Sequence, residues 1–202
     1  GTVSKALNGY KDISQETIER VRKVAKEMNY VPDVTGRALK TNLSNNIGII
    51  FNNDPNGFMH EYFAAILNNF RFEAERLGFD ITFISKHFGK YNMNYYEHCM
   101  YRKCDGVLLL CEDTDNPGIT RLVNSGIPMV TVDYVINNKT AVVADNAHSF
   151  DEIVTYIFNK GHRKIAFIHA HNNPVTQIRL ASFYRTCESL GIQVPGEYVK
   201  EA

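Results

Sequence analysis

Long apolar runs are missing from this chain of 202 residues, and with them any stretch able to cross a bilayer as a helix. Its first residues also lack the pattern of a secretory leader, so the expected location is cytoplasmic. Cysteine is scarce. Cys99, Cys104, Cys111 and Cys187 are too few and too unevenly spaced for a disulfide framework, and they read as small buried hydrophobes. They form no CxxC pair. His169 and His171 would share one side of a strand end, but no third ligand is near, so no metal is expected. The stretch IGIIFNNDPNG lacks the GxGxxG that a nucleotide-using enzyme of a doubly wound fold needs after its first strand. No Ser/His/Asp grouping stands out. The expectation is therefore a non-enzyme without a cofactor. Internal repeats and low-complexity tracts are absent too.

Net charge is also lacking, with 22 Lys and Arg against 22 Asp and Glu, yet the balance is uneven along the chain. Residues 1–40 hold eight basic and five acidic side chains, and the remainder is acidic. A basic head on an acidic body suggests that the head meets a polyanion. The head begins with a short helical stretch, Thr2 to Asn8, stopped at Asn8-Gly9. In DISQETIERVRKVAKEMNY, Ser14 stands at an N-cap position, and Ile18, Val21, Val24, Ala25 and Met28 recur at helical spacing. Glu16–Arg20 and Glu19–Lys23 are i,i+4 pairs on its wet side. Val3, Ala6 and Leu7 are too few to cover that stripe. Val31-Pro32 breaks the helix, and DVTGRALKTNLSNN after it is polar, to be read as helix or linker.

From Ile47 the pattern changes. Apolar strand candidates (IGIIF, DITFI, GVLLL, PMVTV, TAVVA, KIAFI) alternate with amphipathic helices. These helices are traced by Phe63 to Leu77, Ile119 to Val123, Ile153 to Phe158, and Leu180 to Leu190. Such alternation gives an α/β fold with a doubly wound parallel sheet. The plan read from this is a basic head at 1–31, a polar connecting segment at 32–45, a first lobe at 46–161, and the start of a second lobe at 162–202. One strand and one helix cannot bury a core of their own, so more of the second lobe is expected after Ala202.

GTVSKALNG, ISQETIERVRKVAKEMNYVP, IGIIF, CDGVLLL, GIPMVTVDY, ADN and KGHRKIAFIH, in this order, resemble the lactose-repressor (LacI/GalR) family of bacterial transcription factors. The resemblance implies a partial helix-turn-helix headpiece and hinge, then a core like that of periplasmic binding proteins. A first headpiece helix is expected before Gly1. It also implies a homodimer that binds double-stranded operator DNA under control of a small-molecule effector, most simply a sugar. GTVSKALNG resembles the family's recognition helix. Gly1, Thr2, Ser4 and Lys5 then face the major groove, and Asn8 meets a phosphate at the helix end. Lys5 departs from the family's usual arginine, and an ammonium cannot make the planar fork that reads guanine. Leu39 matches the family's hinge leucine that wedges into the minor groove, with Thr35 and Lys40 beside it on the sugar-phosphate backbone. Gly36 departs from a good hinge helix, which suggests a segment that folds on DNA.

Ligands of open α/β sheets bind beyond the carboxyl ends of the strands. That rule collects Asn52, Asn53, Asp54, Phe58, His60 and Glu61 after the first strand, and Cys111, Glu112 and Asp113 after GVLLL. It adds Asp133 and Tyr134, then Asp145 and Asn146, then His169 and His171. Carboxylates and amides suit sugar hydroxyls, and aromatic rings suit apolar sugar faces. From these the expected effector contacts are Asp54, Phe58, His60, Glu61, Glu112, Tyr134 and Asp145. Arg179 joins them because it matches a family arginine that commonly touches the effector. Asp145 reads equally well as the N-cap of the next helix. The other reading of the core is a solute-binding protein of the same fold, against which the basic head and hinge argue.

Overall fold

The computed structural model describes residues 1–7, 10–31, 42–51, 61–110, 116–169 and 173–202. Two helices open the chain, α1 (Thr2–Leu7) and α2 (Gln15–Glu27). The Ser14 hydroxyl caps α2 by accepting from the Thr17 N–H at 3.3 Å, and Glu16 sits in the first turn, where the helix dipole favours a carboxylate. Ala6 and Ile18 are buried where the helices meet. Farther along the α2 stripe the burial stops. Val24 is 45% and Met28 73% exposed, and with Val3, Val21 and Tyr30 they line an open apolar groove. On the wet side, Glu19 accepts a hydrogen bond from Gln15 at 3.1 Å.

The central sheet holds β1 (Asn46–Phe51), β2 (Asp80–Ile84), β5 (Gly106–Leu110), β6 (Met129–Val132) and β7 (Thr140–Val142). All pairs are parallel, in the order β2-β1-β5-β6-β7. A small antiparallel hairpin, β3 (His87–Phe88) with β4 (Tyr91–Asn92), lies outside it. The two middle strands are apolar on both faces because helices cover both. Ile49, Phe51, Leu108 and Leu110 pack with Phe63, Ile66, Leu67 and Phe70 of α3 (Glu61–Arg76). Ile50, Val107 and Leu109 pack on the opposite face with Tyr95 and Cys99 of α4 (Tyr95–Tyr101) and Ile119 and Leu122 of α5 (Pro117–Val123). Each such buried aliphatic side chain contributes about 1.5–3 kcal/mol. Gly48 on β1 has no room for a side chain, since a Cβ there would lie 2.9 Å from Ile84 Cγ1 and 3.1 Å from Cys104 Sγ.

A second unit contains α6 (Asn146–Asn159), β8 (Phe167–His169), α7 (Pro174–Ser189) and β9 (Val199–Glu201). Strands β8 and β9 pair in parallel, and Val154, Ile165, Phe183, Cys187 and Ile192 form the core between the layers. Phe167 lies between Phe150, at 4.9 Å, and Phe183, at 5.3 Å. Helix α6 shares its core with α7 and β8, so the first unit's sheet ends at Val142. Helical spacing identified the apolar stripe of α6 but carries no sign of which sheet receives it. No described helix is long and apolar enough to cross a membrane.

Candidate functional site

At the carboxyl edge of the sheet, Glu61 opens α3 and is exposed. Tyr62 beside it donates its hydroxyl to Asp133 Oδ1 at 3.2 Å. Asp133 follows β6 directly and holds φ at +65°, a left-handed backbone that few residues other than glycine adopt. Its N–H donates to the Val142 carbonyl at 3.0 Å, which ties this corner to β7. Tyr134 is half-buried, and its carbonyl accepts from the buried Thr131 hydroxyl. These contacts join the first turn of α3 to the loop after β6. Asp54, Phe58, His60 and Glu112 lie outside the described residues, as do Asn52, Asn53, Cys111, Asp113 and His171.

Arg179 comes from α7, nearly two turns past the cap that Asn173 provides by accepting from the Thr176 N–H at 2.8 Å. Its Nε donates to Asn146 Oδ1 at 2.8 Å. Asn146 is 7% exposed, and its Nδ2 donates back to the Ala144 carbonyl at 3.1 Å. The amide thus fixes the guanidinium stem near the point where the chain leaves β7 for the second unit. Asp145 performs the capping job, with Oδ1 accepting from the His148 N–H at 3.0 Å.

Sequence reasoning missed a polar cluster one turn deeper. Asp151 accepts from Thr186, Ser182 and Arg185, and Ser182 also donates to the Ala147 carbonyl at 2.6 Å. The Thr186 hydroxyl, then the Arg185 guanidinium, hold the Asp151 carboxyl below its ordinary value.

On the head, Gly1, Thr2 and Ser4 are exposed along α1. Lys5 is engaged, its ammonium pairing with the Asp12 carboxylate in the turn that follows. Asn8, and Thr35, Leu39 and Lys40 of the expected hinge, lie outside the described residues.

Where the chain emerges from that segment, the amino edge of the sheet receives it. The Asp105 carboxylate accepts from the Ser44 N–H at 3.1 Å and the Asn45 N–H at 2.7 Å. The Asp105 N–H donates to the Asn46 carbonyl at 2.8 Å. Ser44 Oγ donates to the Lys103 carbonyl at 2.5 Å, and Asn46 Nδ2 to the Arg102 carbonyl at 3.1 Å. Thr82 completes the corner by donating to Asn46 Oδ1 at 2.9 Å. No sequence signal pointed to this anchor, because its partners are backbone N–H groups sixty residues away.

Comparison with known proteins fits this division. Residues 44–199 match the family model of periplasmic binding proteins and the sugar-binding domain of the LacI family, and residues 1–33 match that of lacI-family bacterial regulatory proteins. The HTH-type transcriptional repressor PurR of Haemophilus influenzae is 28% identical over 206 residues, which cover 99% of this chain and 60% of that protein. Among solved structures, the lac repressor dimer bound to operator and the anti-inducer ONPF has a TM-score of 0.77 at 18% identity, over 99% of this chain and 60% of that one. The Escherichia coli transcriptional repressor ascG has a TM-score of 0.62 at 18% identity, over 78% of this chain and 58% of that one. The chain spans about 60% of the length of the curated relatives it matches. With one family model matching residues 44–199 and a second matching residues 1–33, this chain belongs to the LacI family of bacterial regulatory proteins.

Proposed function

We propose that this chain is part of a cytoplasmic transcriptional repressor whose operator affinity is set by a small effector, a sugar or related metabolite, and that it is not an enzyme. The observation that carries the reading is the join within one chain of a lacI-type head, residues 1–33, to a sugar-binding-type core, residues 44–199. Thr2, Ser4 and Lys5 present polar and basic groups along α1, as a helix in a major groove requires. Leu39, flanked by Thr35 and Lys40, supplies the minor-groove wedge, and Asn8 a phosphate contact.

For the effector, the reading uses the carboxyl rim. Arg179, held by Asn146, supplies charge-assisted donors, and Tyr134 and Phe58 supply rings. Asp54, His60, Glu61, Glu112 and Asp145 supply groups for hydroxyls. A homodimer fits the exposed face of α3 and β2, where Phe83, about half exposed, shares an apolar groove with Leu67, Phe79 and Ile81.

The test is an operator selection with the full-length protein. Random duplexes are offered at two salt concentrations, with and without a panel of sugars and purines. Enrichment of a palindrome with a flexible central step, altered by one compound, supports the reading and identifies the effector. Tight binding of a sugar without any enriched sequence overturns it in favour of a solute-binding role.

A further inference from the structure

Helix α4 ends in a way that brings two sulfurs together. Its cap is Arg102, and Lys103 follows with φ at +52°. The Lys103 N–H donates to the Met100 carbonyl at 3.1 Å, and the Cys104 N–H reaches the Cys99 carbonyl at 3.0 Å. This pair of bonds is a Schellman ending, in which the side chains at the two ends of the longer bond meet. Here both are cysteine. They carry no disulfide, and the Cys99 thiol donates to the Cys104 sulfur.

The two thiols are not equivalent. Cys99 is fully buried, whereas Cys104 is only half-buried, at the margin of the core. The hydrogen bond holds the proton on Cys99 and pushes Cys104 down from its ordinary value. The neighbouring Arg102 acts in the same direction on Cys104, and burial and Asp105 oppose it. Asn46 Nδ2 also points at Cys104 Sγ, at 3.7 Å, and the missing side chain at Gly48 leaves the sulfur its room.

We propose that Cys99 and Cys104 form a redox-modification site at the base of the hinge, with Cys104 reacting with a low-molecular-weight hydroperoxide and Cys99 resolving the product to a disulfide. The Cys104 thiolate attacks one peroxide oxygen. The O–O bond breaks, and the leaving oxygen takes a proton to become water or an alcohol. Cys104 is then a sulfenic acid. The Cys99 sulfur, giving up its proton, attacks the Cys104 sulfur. The S–O bond breaks, hydroxide leaves and is protonated to water, and the S–S bond forms. Two thiols lose two electrons, and one hydroperoxide gains them. Exchange with a reducing dithiol restores both thiols.

The position gives the bond a lever. The carbonyls of Arg102 and Lys103, between the two cysteines, are the acceptors for Asn46 and Ser44, and Asp105 next door holds the amides of Ser44 and Asn45. A bridge across this turn re-sets those acceptors. That it thereby alters operator affinity rests on the repressor reading, whereas the chemistry does not.

The test treats the full chain with stoichiometric hydrogen peroxide, blocks remaining thiols with N-ethylmaleimide, and maps peptides by mass. The expected result is a Cys99–Cys104 bridge, lighter by two hydrogens, reversed by dithiothreitol, and formed at least about tenfold faster than Cys187 oxidises. Cys104→Ser should abolish the fast phase. Cys99→Ala should leave a Cys104 sulfenic acid that dimedone traps. Both cysteines remaining fully alkylated after peroxide, or an undiminished fast phase in Cys104→Ser, would overturn the proposal. The mapping needs no DNA, so a full-length protein that binds no operator would overturn the repressor reading alone.

Discussion

Asp105→Ala is the substitution that most directly weighs the anchor at the amino edge of the sheet. The carboxylate takes two backbone N–H groups, at 2.7 and 3.1 Å, from the residues that lead the hinge segment into β1. Hydrogen bonds to a charged group contribute about 1.5–3 kcal/mol each. This corner is half-buried, so water replaces part of what is lost, and the pair together is worth about 2 kcal/mol. At about 2–4 °C per kcal/mol for a chain of this size, the expected loss is about 4–8 °C in Tm. Asp105→Asn keeps one accepting oxygen and should lose about half as much. Urea titration followed by far-UV circular dichroism reads the stability, and amide exchange at Ser44 and Asn45 reads the site. Both amides should lose protection in the alanine variant before any part of β1 does. An alanine variant within about 0.5 kcal/mol of the parent, with Ser44 and Asn45 still protected, would refute the anchoring argument.

Three further outcomes follow from the same geometry. Asn146→Ala frees Arg179 to rotate. With one charge-assisted bond and some rotamer order lost, effector affinity should fall about tenfold by isothermal titration, and operator affinity without effector should hold. An effector Kd within about twofold of the parent would separate Arg179 from the site. Asp12→Ala releases Lys5 from its ion pair. Because both groups are exposed, stability should move by less than about 1 kcal/mol, and operator binding should tighten with a steeper salt dependence. Asp151 has its carboxyl held below the ordinary value, so its bonds to α7 contribute fully above the unfolded-state value of about 4 and are lost as pH falls through the lowered one. Asp151→Asn should flatten that acid limb in urea midpoints measured from pH 6 down to about 2.5; an unchanged slope would count against it.

The strands of the central sheet were legible because each is an apolar run between polar turns, and the longer helices because their stripes repeat at helical spacing. Strands β3, β4 and β9 are too short or too polar to show, and KIAFI overlaps β8 only at Phe167 and Ile168. Predicted IGIIF, DITFI and GVLLL fall within or on β1, β2 and β5. Helix α4 escaped notice, being only seven residues long. Its signal lay in Asn94-Tyr95-Tyr96-Glu97, where Asn94 and Glu97 cap each other at 2.9 and 3.1 Å. Arg179 was singled out by resemblance to a family, and no pattern in the residues themselves told of Asn146 as its partner. Asp105 sat inside a string, CDGVLLL, that was read for its strand. A carboxylate that binds backbone amides leaves no complementary side chain to find, so its role became visible only when residues 44–45 were placed beside it.

The parallel sheet puts the two proposed activities at opposite ends of the same strands. Asn46, Asp80 and Gly106 begin their strands at the edge that receives the hinge, and Phe51, Leu110 and Val132 end theirs at the rim of Tyr62, Asp133 and Tyr134. A strand of five residues separates the edges by about 17 Å. A close-packed sheet with helices on both faces is stiff, so it is a poor carrier of bending from rim to hinge. The contact that can change is the crossover. Between β7 and α6 the chain passes through residues 143–145, and the Asn146–Arg179 bond ties the start of α6 to α7 just past it. An effector that takes Arg179 as a donor while touching the rim would set the second unit against the first as a rigid body, and effector and operator would then be coupled reciprocally. On this argument, substitutions inside the sheet change stability without changing the coupling, whereas substitutions at Asn146 change the coupling. Leu109→Ala, in the middle of β5 and fully buried, should cost about 2–5 kcal/mol and leave the ratio of operator affinities with and without effector intact. A changed ratio in that variant, measured below its unfolding transition, would mean that the signal runs through the sheet after all.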